Sequence, residues 1–438
     1  MSKSNKKIVV LMLILSLLMG IIAGCGTSAD KDAATEVITV KFSYPPYGYD
    51  SKLEDPFWKK YIAAFEKENP NIKIEMTVES WNNLYTKWNQ YFESGDTPDI
   101  GYNDGARAVQ YGVNGKIQPI NDVIKDLGGE AVFTPIAGSF KQGDTWYAVP
   151  NCAASPVLAY RKDLLKAAGF NEPPKNWDEL VSMSKALTKD GVYGLGMFTS
   201  DSGLTRQIMM GFMKAAGGKV IDEKGNVVIN SPENLSAVKF MSDLVTVHKV
   251  VPPSAKDWKY GDDVNALGVG KIAMDIMWGG YGTLLAEMFP DVYQNIGFVK
   301  MPDGPSGHSG SFSGAGGFFL FKNAKHPEEA KKFIKYMCRP EISKEWCQIS
   351  GNVSPFLSIA KDTELMQMEW YKAVSDQSFT AVALDFESGY IPGTEILYEE
   401  NRYAKLVVDV MLGKMTAEES LKKFHQDAVA AIENAKKH

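Results

Sequence analysis

The sequence predicts an α/β protein of two lobes, and three observations predict it. Strand-like and helix-like apolar patterns alternate along the chain, the rhythm of helices packed on a sheet. About 400 residues remain once an N-terminal leader is set aside, too many for one hydrophobic core. The composition is that of an ordinary globular protein, 45% hydrophobic and 23% charged, with no second long apolar run.

Taken in order, Lys3, Lys6 and Lys7 form a basic n-region, and Ile8 to Ile22 is an apolar run. That run is shorter than the roughly 20 residues of a comfortable bilayer-spanning helix. It ends in Ile22-Ala23-Gly24-Cys25, which resembles a bacterial lipobox. Small residues let a peptidase reach the backbone there, and the Cys25 thiol is the expected lipid acceptor. Two or three acyl chains on one residue would hold a protein stably on a membrane. The alternatives are an ordinary signal peptide with a chance cysteine, or an N-terminal membrane helix. Residues 1–24 are read as a lipoprotein signal peptide. The small, polar stretch 25–35 is read as a tether that buries too little apolar surface to order itself.

Val37 to Ser43 reads as a strand. Asp55-Pro56 reads as a helix start, with Pro56 at the first position, where its missing N–H costs nothing. Phe57, Tyr61, Ala64 and Phe65 form the buried stripe. Ile72 to Val78 alternates as a second strand, Asn83 to Phe92 is helical and closes at Ser94-Gly95, and Thr97 to Tyr102 is a short strand entering a loop. Val157 to Tyr160 is strand-like, Asp163 begins a helix that stops at Gly169, and Asn176 with Glu179 carries a capping-box pattern. Gly191 to Phe198 predicts a strand and Gly203 to Ala216 a methionine-rich helix. Ile221 to Asn230 predicts a hairpin turning at Gly225-Asn226 and lacks the alternating oxygen ligands of a calcium loop. His326-Pro327 opens a helix with the stripe Ala330, Phe333, Ile334 and Met337. Thr416 to Glu419 is a second capping box, ahead of a helix with Leu421, Phe424, Ala428 and Ile432 on one face.

A net charge of −6 argues against nucleic acid as a partner. Beyond Cys25 the cysteines are Cys152, Cys338 and Cys347. Cys338 and Cys347 read as parts of one helical region, where nine residues span about 13 Å, beyond disulfide reach unless the helix breaks. All three are expected to be buried, small apolar residues.

Several segments together resemble the family 1 extracellular solute-binding proteins of bacterial ABC importers, the maltose-binding-protein-like group. The most specific runs from Leu158-Ala-Tyr-Arg-Lys-Asp163 through Gly169 to Pro173-Pro-Lys-Asn-Trp-Asp-Glu-Leu180, with Asn176 where the family usually has threonine; either residue caps a helix. Ser94 to Ile100, Gly270 to Gly280, Gly314 to Phe321 and Leu412 to Glu419 are similar to further family segments, in the family's order. The resemblance implies a periplasmic-binding-protein-like fold whose two lobes clamp a ligand in the cleft between them. Lobe one is then expected over 36–148 and 313–353, lobe two over 152–312 and 355–438, with crossings near Pro150, Phe312 and Pro355. It also implies a carbohydrate ligand and permease subunits of an ABC transporter as partners; no cofactor and no metal are expected. The protein is expected to be a monomer, held by Cys25 on the extracytoplasmic face of a cell membrane, as in a Gram-positive bacterium.

A sugar offers hydroxyls that donate and accept together with apolar C–H faces, so its pocket mixes aromatic platforms with carboxylates, amides and arginines. The chain has 9 Trp and 19 Tyr, several of them beyond strand C-terminal ends, the edge where open α/β sheets bind ligands. The ligand-binding candidates are Tyr44 and Tyr47 after the first strand, Trp81 after the second, and Asn103, Asp104 and Arg107, with Tyr102, after the third. Asp201 and Arg206 follow the Gly191 strand. Trp278, Gly279, Gly280 and Tyr281 follow the Met274 strand, the two glycines allowing close backbone approach. Ser313 at a crossing and Tyr398 near the last helices complete the set. Trp146, Trp177, Trp346 and Trp370 read as packing residues, and Trp258 is open between packing and the cleft mouth.

Two rival readings stand beside the carrier. A glycan-active enzyme also carries aromatic clefts and paired carboxylates, but the chain has no Gly-x-Ser-x-Gly, His-Glu-x-x-His or phosphate-binding loop, and its five histidines are scattered. A binding protein serving a sensor kinase would look the same in sequence. Among carriers, a polyamine cleft would concentrate carboxylates and an iron site would cluster tyrosines with His or carboxylates. The mixed Trp, Asn, Asp and Arg set fits a neutral polyol better.

Overall fold

The first sheet starts from β1 (Ile38–Tyr44) and β2 (Ile72–Val78), parallel and in register from Ile38 opposite Ile72 to Tyr44 opposite Val78, with α1 (Ser51–Glu68) between them in sequence. This computed structural model describes residues 36–46, 51–382 and 389–437; Cys25 with its leader, and Tyr47, lie outside the described residues. Next, α2 (Trp81–Ser94) ends on Gly95, whose φ of 74° suits a residue without a Cβ, and leads to β3 (Ile100–Asp104), parallel to β1. Helix α3 (Gly105–Val113), β4 (Ile117–Gln118) and β5 (Val149–Cys152) complete this stretch.

The chain then builds a second sheet. Its elements are β6 (Pro156–Arg161), α4 (Trp177–Leu187), β7 (Tyr193–Gly196), α5 (Gly203–Ala216), α6 (Pro232–Thr246), β8 (Ile272–Trp278), α7 (Tyr281–Met288) and β9 (Ile296–Val299), with strand order β9-β6-β8-β7. Every residue of β8 is buried, as a strand covered on both faces requires. After β10 (Ser311–Phe312), β11 (Gly316–Phe321) returns to the first sheet. It lies between β3 and β4 in the order β2-β1-β3-β11-β4, and β5 also pairs with it. Helices α8 (Pro327–Met337) and α9 (Pro340–Ser350) follow. Then come α10 (Glu369–Ser378), β12 (Ala381–Val382), α11 (Glu395–Glu399), α12 (Arg402–Met411) and α13 (Ala417–Ala435), with β12 parallel to β10. The fold is thus the two-lobe α/β architecture. Where the chain passes between the sheets its segments bond to one another: Ala153 and Val353 exchange N–H···O bonds of 2.8 and 2.9 Å, and Gly314 donates to the Ala154 carbonyl at 2.9 Å.

Three local expectations change. Pro56 lies inside α1, which begins at Ser51, because Glu54 in the added turn is buried and accepts from the Tyr44 hydroxyl, a tertiary anchor that outweighs the lost backbone bond. Residues 103 and 104 belong to β3 rather than to a loop, and Arg107 belongs to α3. Cys338 and Cys347 do not share one helix: α8 ends at Met337 and Pro340 forces Arg339 into an extended conformation before α9. Both cysteines and Cys152 are free and buried, as expected. Burial pushes the Cys152 thiol up to about 11 and Cys338 to about 12, so none of them is a reactive thiolate. The capping box at Thr416 forms in full, with Glu419 N donating to Thr416 Oγ1 at 3.2 Å and Thr416 N to Glu419 Oε2 at 2.8 Å.

Candidate functional site

At the C-terminal end of β3, Asp104 stays extended and its carboxylate accepts from the Arg107 N–H at 2.9 Å, capping α3. That cap aims the Arg107 side chain off the first turn of the helix. Its guanidinium lies 4.6 Å from the Tyr85 ring centre and 5.8 Å from that of Tyr398, and donates to Gln110 Oε1 at 2.9 Å. From the other sheet's side, α5 starts on Ser202, whose hydroxyl caps Thr205 N, and places Arg206 one residue further on. The Arg206 guanidinium stacks 3.5 Å from the Tyr398 ring centre, while its Nη1 donates to the Tyr398 carbonyl at 2.9 Å and to Asn401 Oδ1 at 2.8 Å. One tyrosine ring is therefore approached by two guanidiniums, Arg206 the nearer, each of which gains from its π face. Burial raises the Tyr398 phenol above its ordinary value against the opposing pull of Arg206, and the same cause raises Tyr85 and Tyr390. All three are neutral donors at neutral pH.

Beside this array is a cavity of about 20 Å³, lined by Asp104, Ala106, Arg107, Gln110, Tyr390, Thr394, Glu395, Tyr398 and Tyr403. That is room for a water and far too small for a sugar ring. The segment beyond residue 389 also reaches the first sheet's side, Tyr390 N donating to Gln142 Oε1 at 2.9 Å.

The structure thus brings together Asp104, Arg107, Arg206 and Tyr398 of the sequence candidates. Trp278 ends β8 next to them in chemistry: its Nε1 donates at 2.8 Å to Gln207 Oε1, the neighbour of Arg206. The ring is only 4% exposed and packs near Phe198 and Tyr281. Gly279 and Gly280 permit a close approach, but to protein. A Cβ on Gly279 would meet Val374 Cγ2 at 2.2 Å, and Gly280 is where a Cβ on Gly351 would collide. Tyr281, Asn103 and Ser313 are buried; Asn103 Oδ1 accepts from Asp104 N at 2.7 Å. Tyr44 lies in the first sheet's aromatic core, 4.7 Å from Trp58 and 5.2 Å from Tyr102. Asp201 is exposed, 3.9 Å from Lys405, in a separate groove of 410 Å³. Trp81 begins α2. The expected packing tryptophans, 146, 177, 346 and 370, are all buried, Trp177 stacking on Phe240 at 3.9 Å. Trp258 packs beside Phe198 and lines a groove with Tyr193 and Pro252.

Sequence reasoning missed Tyr85, Gln207, Tyr390, Glu395 and Tyr403. The tyrosines at 390, 398 and 403 in one short stretch were the available signal. It also missed a buried acid pair in the second sheet's lobe. Asp275 on β8 and Asp263, in the first turn of the helix Asp262–Gly268, are both fully buried, and neither has a cationic partner among the described residues. Burial pushes the Asp263 carboxyl up to about 7, and raises Asp275 well above the usual carboxylate range, with the Asp263 charge adding to it. Among the described residues no His, Cys, Asp and Glu cluster could hold a metal ion.

Comparison with known proteins bears on the family and the fold. Residues 49–344 match the family described as bacterial extracellular solute-binding protein. A putative binding protein of Brucella abortus is 25% identical over 380 residues, 86% of this chain and 89% of the relative. An arabinooligosaccharide-binding protein of Halalkalibacterium halodurans is 25% identical over 325 residues, 70% of this chain and 68% of its own length. The maltose-bound MalE3 structure from T. maritima shares the fold, with a TM-score of 0.77 at 23% identity, over 90% of this chain and 99% of that one.

Proposed function

The chain belongs to the bacterial extracellular solute-binding protein family, and from that premise we propose that it captures a carbohydrate by cleft closure and delivers it to the permease of an ABC importer. The observation that carries this reading is the convergence of Asp104 and Arg107 from β3 and α3, and Arg206 from α5, on the ring of Tyr398. Aromatic face, carboxylate and guanidinium are the groups a polyhydroxylated ring needs. The maltose in the T. maritima structure and the arabinooligosaccharide specificity of the H. halodurans relative support the same ligand class. We assign lobe one to 36–148 and 313–353 and lobe two to 152–312 and 355–438, with hinges near Pro150, Phe312 and Pro355. The bonds joining Ala153, Val353 and Gly314 support that division, because a few connected residues can absorb a closure.

The cavity beside Tyr398 is too small for a sugar, so ligand entry requires the array to open and Tyr398 to yield its place. A thermal-shift and calorimetric panel of mono- and oligosaccharides tests the ligand class; no binding across it, or turnover of a bound sugar, would sink the carrier reading. Small-angle scattering with a confirmed sugar should show a smaller radius than an opened, ligand-free form, and an unchanged radius refutes clamping. Anchoring through Cys25 predicts a lipid-bearing N-terminus in the membrane fraction. Cys25→Ala should release the protein, and continued membrane retention would remove the anchor.

A further inference from the structure

We propose that the ligand carries a carboxylate, as an acidic sugar or an oligosaccharide containing one, and that Arg206 receives it; this rests on the carbohydrate reading above. Arg161 meets Asp163 with two bonds of 2.7 and 2.8 Å, Arg339 meets Glu68 at 2.9 and 3.1 Å, and Arg402 meets both Glu400 and Asp427. Arg206 is different. Its Nη1 serves two neutral acceptors, the Tyr398 carbonyl and Asn401 Oδ1, its Nε is buried with no acceptor, and no described carboxylate pairs with it. A guanidinium has five donors in a planar fork, and its strongest partner is a carboxylate bound by two of them. Leaving a desolvated donor of a charged group unmade costs more than a neutral one.

The described carboxylates lining the cavity each already accept a hydrogen bond, and neither pairs with Arg206. Asp104 caps α3 through Arg107 N, and Glu395 Oε2 accepts from Tyr390 Oη at 3.0 Å and Gly393 N at 2.8 Å. A second guanidinium, that of Arg107, lies 5.8 Å from the same Tyr398 ring centre, so two cations flank the place a sugar ring would take, beside the Asp104 and Glu395 carboxylates that line the same cavity. A neutral sugar can take those donors singly through its hydroxyls; a sugar carboxylate takes two of them at once and answers the charge as well. Tyr398, stacked on Arg206, would be exchanged for the ligand's own ring, and the guanidinium's open donors would take the carboxylate.

The test is calorimetry on the purified chain with matched pairs, galacturonate against galactose oligomers and glucuronate against glucose oligomers, for the wild type, Arg206→Gln and Arg206→Lys. The expected result is tighter binding of the acidic member, weakened by added salt, and reduced at least tenfold in Arg206→Gln with partial recovery in Arg206→Lys. Melting curves of both variants verify that the loss is not unfolding. Binding of neutral members alone, or an Arg206→Gln affinity within twofold of wild type for the acidic ones, overturns the inference and leaves the carbohydrate reading standing. Binding only of non-sugar carboxylates, such as amino acids or dicarboxylates, with loss in Arg206→Gln, keeps the carboxylate at Arg206 and overturns the carbohydrate reading instead.

Discussion

Asp263→Asn should turn a pH-sensitive protein into a less sensitive one. Asp263 has no exposed surface, and burial holds its carboxyl at about 7 against an ordinary value of 3.8, outweighing the backbone amides of its helix's first turn. An acid raised in the folded state binds more protons folded than unfolded. The stability it permits is therefore complete below the unfolded value and is lost as pH rises through the folded one, here from about pH 4 to about pH 7. A rise from 3.8 to about 7 corresponds to about 4 kcal/mol. With an unfolding entropy of about 2 cal/mol/K per residue over about 400 residues, that is about 5 °C in Tm. Asparagine has nearly the same shape and no proton to lose, so the variant should melt about 5 °C above wild type at pH 8 and level with it near pH 4. Removing the Asp263 charge also lets the Asp275 carboxyl move back toward its usual range, which acts in the same direction. Thermal denaturation followed by circular dichroism from pH 4 to 8.5 measures both curves. Parallel profiles would refute the claim that burial of this carboxyl limits stability at high pH.

Gly351→Ala should be among the most damaging small changes: φ is +65° and the new Cβ would lie 1.9 Å from the Gly280 Cα, backbone that cannot swing aside. A loss of more than about 3 kcal/mol in urea unfolding is expected, and a loss under about 1 kcal/mol would show that the crossing can shift. Thr416→Ala removes one half of a complete capping box and should cost about 1 kcal/mol; an unchanged midpoint would mean the cap adds nothing to α13. Trp278→Ala deletes a ring that is 4% exposed and strands Gln207, so it should destabilise the chain by about 3–5 kcal/mol in addition to any effect on binding. Full stability with lost sugar affinity would instead make Trp278 a ligand platform.

Much of the fold was legible because its signals are local. Ile72–Val78 alternates and is a strand over those same residues; Gly203–Ala216 carries a helical pattern closed by Gly217 in the left-handed region, and the structure ends the helix there. The stripes Phe333-Ile334-Met337 and Leu421-Phe424-Ala428-Ile432 are all buried. One local failure has a tertiary reason. Pro56 is a sound helix start by propensity, and only the bond from Tyr44 to Glu54 shows why the helix begins a turn earlier. Breaking at Pro340, by contrast, was readable in sequence, because proline restricts the residue before it whatever the context.

The site was half legible for a different reason. Strand C-terminal ends are where open α/β sheets bind ligands, and that rule picked out Asp104, Arg107 and Arg206, which the structure gathers near Tyr398. It also swept in Tyr44, whose hydroxyl turns inward to Glu54, and Gly279, whose bareness serves Val374 rather than a ligand. Aromatic residues after strands are ambiguous because the core and a sugar make the same demand on them, a flat apolar face. Charge is less ambiguous. Arginine is seldom left in a partly desolvated place without an anion, so the pairing of each guanidinium separates structural from functional copies better than the position of each ring. Arg206 meets Tyr398 across 192 residues of sequence, a separation no local pattern bridges. Only the folded chain reveals that its acceptors are neutral, and that neutrality is what directs attention to a ligand with a charge of its own.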